Sequence, residues 1–190
     1  MGPDHDYIMT ILKLEPLDQS AFAPFGDVIA MDDRPWFPIN AGTTRRYHDL
    51  GRVQVQGEDG QGGISMARAE AFQLPLHIAM LERHPLGSQA WIPFSQTPFI
   101  AVVAPNGKDD RPDESALRAF YVGPKQGVNY HMGVWHHPLL ALGGQGDFII
   151  VDRIGTAANC DECLLQAERS IDGTFLDEQF AALLSGLPVG

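Results

Sequence analysis

A mainly β fold, a barrel or a sandwich, is what this sequence predicts. Three observations carry that expectation. Gly (20) and Pro (14) are spread along the chain and cut it into short apolar runs, which suit strands and turns better than long helices. The runs follow one another in series, with turn signals such as Pro105-Asn106-Gly107 and Gly143-Gly144 between them. Helical spacing is confined to a short piece near residue 18 and one segment near the C-terminus. A length of 190 residues favours one domain and is enough to bury a sizeable core without a disulfide or metal.

Taken in order, residues 1–8 read as a leading extension or cloning remnant, with Met9 a plausible native start. A short helix is expected near residues 18–22, capped by Asp18 and stopped by Pro24 to Gly26. Residues 52–63 carry four glycines, with Gly51 just before them and acids between, and read as a hairpin or exposed loop. Strands are expected at 64–69, 76–84, 90–94, 99–104, 119–122, 128–131, 139–142 and 148–153. Thr174 with Asp177 resembles a capping box, and Leu176, Phe180, Leu183 and Leu184 recur at helical spacing. Residues 175–184 therefore read as an amphipathic helix. It belongs to a tail, 165–190, that packs on the barrel or covers a dimer interface, while 9–164 forms the barrel.

Charge and composition exclude several function classes. Lys plus Arg is 13 against 24 Asp plus Glu, a formal charge of −11. Nucleic acid and anionic membranes reward clustered cations, so neither is expected as a partner. No apolar run is long enough for a spanning helix, and MGPDHDYIM lacks the pattern of a signal peptide. A cytoplasmic protein is the expectation. The only cysteines, Cys160 and Cys163, form a lone C-x-x-C pair with no second pair for zinc, and read as incidental.

The chemistry-bearing residues fall in three segments. If 76–84 is a strand, Leu76, Ile78, Met80, Glu82 and His84 share a face. That face begins apolar and ends with a carboxylate and an imidazole, as at one mouth of a small barrel. Arg83 then points the other way, into an ion pair or subunit contact, and Gln89 begins the next run toward the same mouth. The second segment, 123–140, holds His131, His136 and His137, three of the seven histidines. Asn129 and His131 would share a face with Tyr130 opposite, and at most one of His136 and His137 would join His131. Glu82, His84, Gln89 and His131 could together offer nitrogen and oxygen ligands to a metal. The third segment is Arg45-Arg46-Tyr47-His48-Asp49, either a solvated surface run or a carboxylate clamp with one inward Arg.

Six strings make the comparison specific: FGDVI at 25–29, RYHDL at 46–50, LERHPLGSQAWIP at 81–93, LRAFYV at 117–122, QGVNYHMGVWHHPL at 126–139, and DFIIVDR with NCD at 147–161. In these strings, and in their order, the chain resembles the ureidoglycolate lyase family. The resemblance implies a cupin-like, jelly-roll β-barrel, a homodimer, and a cytoplasmic carbon–nitrogen lyase that splits (S)-ureidoglycolate into glyoxylate and urea. It implies Glu82, His84 and His131 as the catalytic or metal-holding centre, with Gln89 at the fourth metal position. It implies a divalent metal, nickel in particular, and a small anionic substrate. Arg46 would hold the carboxylate, and His48, Asn129, Tyr130, Trp135 and His136 would line the substrate. The rival readings are another small-acid cupin enzyme, an oxygenase or isomerase, and a non-catalytic small-acid-binding cupin.

Overall fold

A computed structural model of the chain describes residues 10–173. Short apolar runs pair into β1 (Thr10–Ile11), β2 (Leu14–Pro16), β3 (Gly26–Ile29), β4 (Phe37–Ile39), β5 (Thr44–Arg46), β6 (Gln61–Ala69), β7 (Leu76–Arg83) and β8 (Gln89–Pro93). They continue as β9 (Phe99–Ala104), β10 (Arg118–Val122), β11 (Gly127–Tyr130), β12 (Trp135–His136), β13 (Leu140–Ala141), β14 (Gly146–Ile154) and β15 (Asp161–Ile171). One short helix, α1 (Gln19–Phe22), lies between β2 and β3. Asp18 caps it, accepting from the Ser20 and Ala21 amides at 2.9 Å, which satisfies donors a helix start leaves open.

The strands form a larger sheet in the order β1-β15-β7-β12-β9-β10-β2, with β13 also on β9, and a second in the order β3-β11-β8-β14-β6. The larger sheet curls into a half-barrel. Its two edge strands, β1 and β2, are consecutive in the chain and are linked through Leu12, whose amide donates to Ser170 O at 2.7 Å. The expected mainly β, cupin-like architecture is therefore what the structure shows. The strand β15 runs on to Ile171, so the sheet continues past the boundary expected at 164. The helix expected at 175–184 and the extension at 1–8 lie outside the described residues.

Two cores follow from the period-2 alternation of the strands. Inside the curl, Ile78, Leu81, Ile100, Val102, Ala119, Trp135 and Leu140 pack together. Between the sheets, Phe22, Phe99, Val103, Phe120, Val128, Tyr130 and Phe148 form the second cluster. Phe148 is fully buried there, edge-on to Phe99 with ring centroids 5.7 Å apart.

One expected alternation breaks. Leu76 and Ile78 lie in the first core, but so does Leu81, so β7 changes phase between Ile78 and Leu81. The pairing with β15 is irregular at the same place, between Leu164 and Arg169, as at a bulge. Glu82 is thereby turned away from the first core, while Arg83 stays on that core's side of the strand.

Candidate active site

The site grows from the end of β7. The two-residue strand β12 pairs antiparallel with β7 and puts His136 directly opposite Glu82. His136 Nε2 lies 3.6 Å from Glu82 Oε1, and His84 Nε2 lies 3.9 Å from the same oxygen. His84, His136 and Glu82 thus present ligand atoms within 4.8 Å of one another.

The backbone fixes how both imidazoles present themselves. His84 Nδ1 sits 2.7 Å from Asn159 O, and His136 Nδ1 sits 2.9 Å from Val134 O. A carbonyl can only accept, so each Nδ1 carries a hydrogen and each Nε2 is the ring nitrogen turned toward Glu82. His84 Nε2 and His136 Nε2 are both buried, with no hydrogen-bond partner among the described residues. Tyr130 stacks on the His136 ring at 4.2 Å and 12°, which holds its plane. The nearby His136 keeps the Glu82 carboxyl below its ordinary range, against the opposing effect of burial. Burial pushes the Tyr130 phenol up, and the Glu82 charge adds to it.

Two buried, unpartnered ring nitrogens and a carboxylate facing one point make an unsatisfied cluster of the kind a cation completes. Two imidazoles and one carboxylate, with both rings tied down through Nδ1, suit a first-row divalent ion. The residues present therefore fit a metal.

A second cluster sits around Asp27, on the other face of β11 from Tyr130. Gly26 lets β3 approach β11 closely, because a Cβ there would collide with the Asn129 carbonyl. Asp27 consequently accepts from Asn129 Nδ2 at 2.9 Å and from the Arg52 amide at 3.1 Å, and lies 3.1 Å from His131 Nε2. These contacts outweigh burial and hold the Asp27 carboxyl below its usual range. Asp27, Asp49, Gly51, Arg52, Gln54 and His131 line a cavity of about 320 Å³. The turn after His131 needs Gly133 at φ +78°, and its amide donates to His84 O at 2.9 Å. The two clusters therefore share one hydrogen-bonded turn.

The structure sorts the residues singled out from sequence. It brings Glu82 and His84 together, as expected from their i, i+2 spacing. It places His136 in that cluster as a potential ligand, whereas the sequence reading gave it a substrate-lining role. His131 faces Asp27 instead, and Gln89 Oε1 accepts from Trp91 Nε1 at 2.7 Å. Asn129 and His131 do share a face, with Tyr130 opposite. Trp135 points into the first core, donating to Asn106 Oδ1 at 2.9 Å. Arg83 lies over the Trp135 ring at 4.5 Å and pairs with Asp110 at 2.6 Å and Asp161 at 2.9 Å. Arg46 is exposed on the separate β4–β5 ribbon, and His48 follows that ribbon, edge-on to Phe37 at 6.0 Å. Sequence reasoning missed Asp27, although it lies in the FGDVI string. It also set aside Cys160, whose Sγ lies 3.8 Å from Glu82 Oε2. Burial and the Glu82 charge raise the Cys160 thiol above its usual range.

A family model described as ureidoglycolate lyase matches residues 9–172. A protein named ureidoglycolate lyase from Pseudomonas paraeruginosa is 53% identical over 154 residues, covering 81% of this chain and 90% of that one. One of the same name from Stutzerimonas stutzeri is 50% identical over 163 residues, covering 86% and 95%. A third, from Pseudomonas syringae pv. tomato, is 53% identical over 154 residues, covering 81% and 89%.

Proposed function

The chain belongs to the ureidoglycolate lyase family, and on that premise we propose that it cleaves (S)-ureidoglycolate to glyoxylate and urea in allantoin breakdown. The observation that carries the reading is the convergence of Glu82 with the buried, unpartnered Nε2 atoms of His84 and His136.

Those three residues would hold a divalent ion, nickel by the family resemblance. Bound there, it would polarise the substrate's hydroxyl and carboxylate oxygens and lower the hydroxyl pKa. The chain's own residues supply orientation and proton transfer. Tyr130 fixes the His136 ring, and the carbonyls of Val134 and Asn159 fix both tautomers. Cleavage of this carbinolamide removes the hydroxyl proton and delivers one to the departing urea nitrogen. The two demands cancel, so a single imidazole serves both. His131 has the matching arrangement: with its Nε2–H on Asp27, Nδ1 is left to take and return the proton. Asn129 steadies Asp27 in the ionised form that this requires.

Arg46 and His48 remain the proposed holders of the substrate's carboxylate and ureido ends. Arg46 rides on the exposed β4–β5 ribbon and His48 follows it, beside the place where Arg45 stacks on Trp36 at 4.5 Å. The family resemblance implies a homodimer, and a second copy would give the exposed Trp36 and Phe37 a surface to cover. A cytoplasmic location is part of the same proposal. Among the described residues no helix is long and apolar enough to cross a membrane.

One rival reading has a specific observation behind it. Two histidines and one carboxylate are also the ligand set of non-haem iron oxygenases. Product analysis on racemic ureidoglycolate separates the two. Urea and glyoxylate in equal amounts, without oxygen uptake, support the lyase. Oxygen consumption, or ammonia in place of urea, would overturn it.

A further inference from the structure

Glu82 has two carboxylate oxygens, and the structure gives them different partners. Oε1 faces His136 Nε2 at 3.6 Å and His84 Nε2 at 3.9 Å. Oε2 faces Cys160 Sγ at 3.8 Å, within reach of a thiol donor. Cys160 Sγ does not join the group in which Glu82, His84 and His136 all lie within 4.8 Å of one another. It belongs to a second group that shares only Glu82 and adds Glu162. The thiol therefore lies beside the cluster rather than in it. His136, 2% exposed and with an unpartnered Nε2, points to a ligand at the Oε1 side independently of the cysteine.

The segment that carries Cys160 also supplies a second partner to the same cluster. Asn159 O accepts from His84 Nδ1, and Asn159 Oδ1 accepts from the Leu86 amide at 2.7 Å. Residues 159 and 160 thus reach two of the three candidate ligands from behind.

We propose that Cys160 is a positioning residue for the metal centre: its thiol engages Oε2 of Glu82 and so commits Oε1 to the face shared with His84 and His136. The inference rests on the metal-site reading above. A carboxylate freed to rotate would exchange its two oxygens and lose that fixed presentation. Partners of this kind, one step behind the ligands, are typically worth 10–100-fold in metal affinity.

Cobalt(II) alone is the probe, titrated into metal-free wild-type protein, Cys160→Ala and Cys160→Ser, with affinity and absorption spectra recorded together. Wild type is expected to bind with no thiolate-to-cobalt band. Cys160→Ala is expected to bind about 10-fold more weakly, with Cys160→Ser, which keeps a donor on the same Cβ, in between. Cys160 is exposed, so neither change threatens the fold. Equal affinity of wild type and Cys160→Ala would overturn the inference. A thiolate band lost in Cys160→Ala would overturn it too, by making Cys160 a ligand itself. If wild type binds no cobalt, the metal-site reading fails and the inference fails with it.

Discussion

His136 is the residue whose role depends most on the fold. Its Nδ1 is tied to Val134 O, its ring lies under Tyr130, and its Nε2 is left facing Glu82. Replacing it by Ala should remove one ligand and leave Glu82 and His84 with too few groups to hold an ion tightly; elemental analysis of the purified variant checks this. His131→Ala should act differently. It leaves the candidate metal ligands in place and takes away the proton carrier, so metal content should persist while turnover collapses. A variant that lost metal instead would move His131 into the ligand set expected from sequence. Glu82 and His84 were legible from their spacing alone. His136 was legible as part of a histidine-rich string, but its partnership with Glu82, 54 positions earlier in the numbering, arises only from the β12–β7 pairing. No local pattern records that register.

At the scale of the element, legibility followed length and apolar content. The buried run Phe99–Ala104 and the long strand β14 declare themselves by composition. The strands β1 and β12 are two residues each and have no period to read. They exist because tertiary partners complete their hydrogen bonds, β1 lying parallel to β15 and β12 between β7 and β9. The phase change in β7 was equally hidden, since strict alternation puts Ile78 and Glu82 on one face. The energetic weight lies with the buried runs. Phe148→Ala would leave a cavity between the sheets where Trp91 and Phe99 now meet its ring. It should cost about 3–5 kcal/mol, measurable as a shift of the denaturant midpoint at unchanged slope.

Across the whole molecule, long-range ion pairs join loops to sheets. Arg83 ties Asp110 and Asp161 to β7, and buried Arg153 ties Asp59 to β14. Hydrogen bonds from Arg83 hold the Asp110 carboxyl at about 2, and those from Thr156 hold Asp59 at about 2, against an ordinary 3.8. A carboxyl depressed in the folded state contributes stability that is complete above the unfolded value and lost as pH falls through the folded one. These pairs should therefore hold at pH 5 and weaken between about pH 4 and 2. Thermal unfolding of Asp110→Asn should show a flatter acid limb over that range than wild type. The net charge of −11 bears on function at the same scale. An anionic substrate approaches against the overall field, so local cations such as Arg46 and Arg52 are what it can meet. If the β4–β5 ribbon docks on a second copy, sedimentation velocity should give twice the chain mass, and Trp36→Ala should lower that fraction.

The central claim is that Glu82, His84 and His136 form the centre of a ureidoglycolate lyase. Its most direct test is the rate of urea release from ureidoglycolate by protein supplied with a divalent ion, wild type against His136→Ala. The account predicts equal yields of urea and glyoxylate from wild type, and a rate lower by more than about 100-fold in the variant, the upper range for losing even an outer partner of a metal. Wild-type turnover by a folded His136→Ala protein would contradict it.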